Sequence, residues 1–95
     1  MFARVATYEG ADRSAIQGAV EGIRQQSGPP EGVPAKQFLM LSDLDAGKVM
    51  AIGFFETRED LEAGNAVLNE MSPPAGNLGR RTALDLMEVQ LQMDA

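Results

Sequence analysis

The stretch KQFLMLSDLDAGKVMAIGFFE (36–56) decides the fold. KQFLMLSD (36–43) and VMAIGFFE (49–56) are rich in aromatic and aliphatic residues, the composition of strands. Between them, LDAGK (44–48) carries Asp and Gly and reads as a tight hairpin loop. A strand with one face in water alternates apolar and polar residues. FLML and VMAIGFF are apolar at successive positions, so both faces of this hairpin call for burial.

Upstream, FARVATYEG (2–10) stops at Gly10 and reads as a first strand. Ile16, Ala19, Val20 and Ile23 then recur with helical spacing over 13–26, with Asp12 or Ser14 as the cap. Gly18 and Gly22 weaken that helix by about 1 kcal/mol each relative to Ala, and tolerance explains them more simply than close packing. SGPPEGVP (27–34) ends the helix, because proline lacks the N–H and restricts the residue before it. Downstream, Thr57 caps a second helix whose apolar face is Leu61, Gly64, Leu68 and Met71. MSPPAGNLGRR (71–81) is read as a connector, with a loop that grips an anionic ligand through Arg80 and Arg81 as the alternative, and TALDLMEVQLQ (82–92) as the last strand. The order β-α-β-β-α-β over residues 1–95 predicts one ferredoxin-like α+β domain, a four-stranded antiparallel sheet with two helices on one face. Two helices cover only one side. The uncovered apolar face predicts a homodimer.

Composition narrows the chemistry. The sequence has 95 residues and contains no Cys and no His, which excludes disulfides, thiolate catalysis and the commonest general base and transition-metal ligand. No metal or haem cofactor is expected. Fourteen acidic against eight basic residues give a formal charge of −6, a poor match to nucleic acid or an anionic membrane. The first residues lack the pattern of a signal peptide and no apolar run is long enough to span a bilayer, so a cytoplasmic protein is expected. The acidic run TREDLE (57–62) is read as complementing a helix N-terminus rather than binding a cation. Met40, Met50, Met71 and Met87 are read as filling a core or an interface. GNLG (76–79) has no Lys-Ser/Thr behind it and precedes a strand, so it is not a phosphate loop. Arg80 and Arg81 are assigned to exposed pairing with acidic residues across the dimer.

The element order, the FFETRED step (54–60) entering the second helix and the apolar outer sheet face resemble the dimeric α+β barrel superfamily, and within it the antibiotic biosynthesis monooxygenase group. The resemblance implies a dimer whose sheets pack face to face, with a small pocket in each subunit between sheet and helices. Some members oxidise polycyclic phenols with O2 and no cofactor, and others cleave haem. The Trp- and His-containing constellations of the active members are not reproduced here, since both residue types are absent. Phe55 stands before the Glu-Thr step, where relatives often carry a large aromatic. Arg4 and Tyr8 share a strand face, and Asn65 and Asn69 lie one turn apart on the second helix. Arg4, Tyr8, Phe55 and Asn65 are therefore the candidate ligand-binding residues, although the side taken by Phe55 depends on the inter-strand register. The expected function is binding of a small apolar or aromatic ligand, with cofactor-independent oxygenation of an aromatic or polyketide-like substrate as the activity. The alternative is a non-catalytic binding or sensing dimer, or a purely structural homodimer.

Overall fold

The computed structural model describes residues 1–26, 28–71 and 78–94. Its elements are β1 (Phe2–Gly10), α1 (Arg13–Arg24), β2 (Gln37–Asp43), β3 (Lys48–Phe55), α2 (Arg58–Glu70) and β4 (Gly79–Glu88). All neighbouring strands are antiparallel, in the order β2-β3-β1-β4, the ferredoxin-like arrangement. Among the described residues, no helix is long and apolar enough to cross a membrane.

Local chemistry sets the element ends. Asp12 caps α1, its carboxylate accepting the Ala15 N–H at 2.7 Å, and Ser14 lies inside the helix. Thr57 Oγ1 caps α2 by accepting the Asp60 N–H at 3.1 Å. Each such cap contributes about 1 kcal/mol. The hairpin closes at Asp43 opposite Lys48, and Asp43 Oδ1 accepts the Ala46 N–H at 3.2 Å. Gly47 ends the loop at φ +66°, and a Cβ there would lie 2.6 Å from the Ala11 carbonyl oxygen. Only glycine suits both demands.

Cross-strand register settles which residues share a face. Phe2, Arg4, Ala6 and Tyr8 of β1 stand opposite Phe55, Gly53, Ala51 and Val49 of β3. Directly opposed residues point the same way, so all eight lie on one side of the sheet. Phe55 packs with Leu61 of α2, and Val49 with Ile16 and Ala19 of α1, which makes this the side that both helices cover. The core is divided accordingly. Ile16, Ala19, Val49, Ala11 and Leu78 form one cluster under α1, and Val33, Phe55 and Leu61 form another under α2. Val33 comes from the proline-rich connector, which thus supplies core as well as ending the helix.

The opposite face carries Ala3, Val5, Leu39, Leu41, Met50, Ile52, Phe54 and Met87. Leu39, Leu41 and Met87 are 42%, 47% and 51% exposed, so the apolar outer face read from the hairpin is present in the fold. The last strand differs from its expected range, running Gly79–Glu88 instead of 82–92. Arg80 and Arg81 are drawn into it because Glu9 and Tyr8 offer pairing positions. At the far end β1 runs out at Phe2, opposite Glu88, and beyond that only Val89 N–H donates to the Met1 carbonyl, at 2.9 Å. The connector reading of 72–77 lies outside the described residues.

The three helix glycines have different environments. A Cβ on Gly64 would lie 2.5 and 2.7 Å from the Phe55 ring, whereas one on Gly18 or Gly22 would meet nothing within 4 Å. Phe55 is fully buried and has no room to retreat. Gly64→Ala is therefore expected to destabilise by about 1–3 kcal/mol through overpacking, despite the better helix propensity of Ala. Gly18→Ala and Gly22→Ala are expected to stabilise by up to about 1 kcal/mol each. Urea unfolding of the three variants checks this, and a stabilised Gly64→Ala would refute the packing assignment.

Candidate functional site

The split core leaves a space between the two helices and the sheet. It is a cavity of about 740 Å³, within the range of about 300–1,000 Å³ usual for small-molecule sites. Its floor is the helix-covered sheet face, including Arg4, Tyr8, Ala51 and Gly53, and its walls include Ile23, Leu68, Pro29 and Pro30. Small residues make the room. Ala51 and Gly53 stand opposite Ala6 and Arg4, and the Phe38 ring leans over Gly53, where a Cβ would come within 3.0 Å of it.

Arg4 is the principal polar group. It is only 6% exposed, on a central strand. Its Nε donates to Asn65 Oδ1 at 2.9 Å, and its Nη2 donates to Asn69 Oδ1 at 3.0 Å. Asn65 and Asn69 are one turn apart on α2, so one helix face presents two amide oxygens to one guanidinium. Arg81 Nη1 donates to the same Asn69 oxygen at 2.9 Å. Burial lowers the pKa of Arg4 from its ordinary value. The charge interaction with Tyr8 opposes that shift, and the nearby Arg81 cation adds to it.

Arg81 reaches this side because of a β-bulge. The β1–β4 register steps from Thr7 opposite Ala83 to Tyr8 opposite Arg81, leaving Thr82 as the extra residue. Strict alternation from Ala83 would put Arg81 on the outer face; the bulge turns it to the face of Tyr8.

Of the four residues picked out from the sequence, Arg4 and Tyr8 line the cavity. Asn65 stands behind Arg4 and holds it rather than lining the space. Phe55 shares their sheet face but is fully buried beneath Gly64 in the α2 cluster, so its ring is core and not cavity wall. Asn69 and Arg81 were not selected and belong to the lining. The i, i+4 spacing of Asn65 and Asn69 was a signal for the first. Nothing local signals the bulge that recruits the second, and Arg81 bonds within its own chain to Asn69 rather than serving only as a surface charge for a partner. The polar side chains lining the space carry guanidinium, ammonium, amide and phenol groups, suited to an organic ligand. Among the described residues no group of three or more acidic side chains is placed to hold a metal ion.

The Arg4 network has a testable asymmetry. Asn65→Ala leaves the Nε–H of a buried cation without its partner and is expected to cost about 1–3 kcal/mol. Arg4→Met removes the cation with its need for partners and is expected to cost less, with Asn65→Ala then adding under about 1 kcal/mol in that background. A double-mutant cycle by denaturant unfolding measures the coupling, and additive effects would show the bond to be unimportant.

No family model matches the chain, and no curated protein matches it either.

Proposed function

We propose that this chain is a small-molecule-binding protein that works as a homodimer of the dimeric α+β barrel type, with an aromatic or polyketide-like ligand in the cavity between sheet and helices. The observation that carries the reading is the cavity itself, apolar in most of its wall and furnished with the polar ends of Arg4, Tyr8, Asn69 and Arg81. That combination, broad apolar contact with a few convergent polar groups, is the usual make-up of ligand sites. The resemblance of the element order and the FFETRED step to the antibiotic biosynthesis monooxygenase group supports the same class of ligand.

A second reading adds cofactor-independent oxygenation to binding. It is favoured by the two guanidinium groups that converge on Asn69, because cations beside a phenol or enol stabilise the electron-rich deprotonated form that reacts with O2. The pure binding reading is favoured by the lack of His and Cys, which removes the usual proton-transfer groups.

Planar phenols and quinols screened by thermal shift test the binding reading. A ligand at 100 times its Kd should stabilise by about 2.7 kcal/mol, a shift of several degrees for a domain this small. Binding should weaken in Tyr8→Phe and Arg4→Met. Oxygen uptake with a bound quinol, in buffer free of added metal and flavin, separates catalysis from binding. No shift with any member of the panel would defeat the reading.

Dimerisation is supported by the open sheet face, whose Leu39, Leu41 and Met87 are large, apolar and exposed in one protomer. A partner sheet there would bury more than about 1,000 Å² in total. Sedimentation at micromolar concentration is expected to give a dimer of the 10.2 kDa chain, and Leu41→Glu a monomer. A monomeric native protein would remove the dimer from the proposal.

A further inference from the structure

The charges around the cavity are segregated. The chain carries 14 acidic side chains, yet none lines the cavity, while Arg4, Lys36 and Arg81 do. Among the described residues the ion pairs are Arg13 with Asp45 and Lys36 with Glu56, and neither Arg4 nor Arg81 takes part in one. The residues outside the described set, Ser27, 72–77 and Ala95, include no Asp or Glu. Arg4 is thus a buried cation held by neutral amides, with a second cation beside it. A buried charge of this kind is costly without an opposite charge.

The unfilled valences of Arg4 point the same way. A guanidinium has five N–H donors. One Nε–H and one Nη2–H go to Asn65 and Asn69, and Nη1 has no hydrogen bond among the described residues. No side-chain polar atom among them is both buried and unpartnered, and Arg4 borders the cavity. The two asparagines occupy the Nε–Nη2 edge and leave the Nη1–Nη2 end. That end presents two roughly parallel N–H groups, the geometry that matches the two oxygens of a carboxylate. Tyr8 also makes no hydrogen bond among the described residues and borders the same space.

We propose that the ligand of this cavity is an aromatic or conjugated carboxylate, its carboxylate seated end-on against Arg4, with Arg81 as a second cation at the rim and the ring against the apolar wall. Asn65 and Asn69 are positioning residues that fix the guanidinium plane. This inference rests on the ligand-binding reading above and narrows it from aromatic ligands in general to acids. The acidic surface and the basic cavity then have complementary roles, because the field inside favours an anion that the outer surface does not hold.

Isothermal titration at pH 7 with 2-naphthoate, 2-naphthamide and 2-naphthol separates the possibilities, since the three share a ring system and only the first is an anion at that pH. The native protein is expected to bind the carboxylate at least about tenfold tighter than the amide or the phenol, as a charge-assisted bidentate pair should provide. Arg81→Gln, at an exposed position, is expected to lower carboxylate affinity several-fold and leave the amide unchanged. Arg4→Met is expected to reduce the preference for the carboxylate to within about twofold, with unfolding measured in parallel to show that the variant is folded. Amide or phenol binding as tight as that of the carboxylate would overturn the inference and leave the ligand-binding reading intact. So would a preference that survives both substitutions. Absence of binding by all three compounds would overturn the inference together with the reading beneath it.

Discussion

The burial of the Arg4 guanidinium is the constraint around which this small domain is arranged. A charged side chain on a central strand faces the helices rather than water, so its donors must be met from α2. Asn65 and Asn69 meet them, and in doing so tie that helix to β1 at a fixed height above the sheet. Gly53, directly across the strand pair, leaves room for the rings of Phe38 and Phe55, which a Cβ there would approach to 3.0 and 3.2 Å. Hydrophobic burial alone would favour an apolar residue here. An arginine held by two amides makes sense as a fixed donor array aimed at the space beside it.

That space exists because the core does not close. Leu61 seals over Phe55 at one end and Ile16 and Ala19 seal over Val49 at the other, while small residues line the sheet between. Phe55, the largest fully buried side chain, can lie flat under α2 only because Gly64 offers no Cβ, which sets the helix close to the sheet on that side. The proline-rich connector contributes Val33 to the core and Pro29 and Pro30 to the cavity wall. Closely packed ends and an unfilled middle are compatible in a domain of this size because each cluster is anchored by its own helix.

The sheet has two apolar faces with different fates within one chain. The helix-covered face encloses the core and the cavity. The outer face buries Ala3 and Val5 on the central strand through their own neighbours and leaves the large side chains of the flanking strands open. No acidic side chain lines the cavity whereas Arg4, Lys36 and Arg81 do, so the formal charge of −6 is shared unevenly between surface and site.

Much of the fold was legible in the chain itself. Strand composition, the Asp- and Gly-containing loop, the helical spacing of Ile16, Ala19, Val20 and Ile23, and the breaker at 27–34 are local signals, and each acts through bonds or sterics within a few residues. They predict the element order, and the order predicts the ferredoxin-like sheet. The absence of alternation in FLML and VMAIGFF likewise announced an apolar outer face. The site was legible only in part. Arg4 and Tyr8 could be placed together from their even spacing, and the Asn65–Asn69 pair from one helical turn. Three matters waited on tertiary structure. The register of β1 against β3 put Phe55 on the same face as Arg4, and Gly64 then drew it into the core. The bulge at Thr82 turned Arg81 inward, against the alternation of its own strand. The pairing of Arg80 and Arg81 with β1 made a strand of residues that read as a connector. Register, bulge and pairing are relations between segments distant in the chain, so no short-range pattern carries them, and they decided which charges face the cavity.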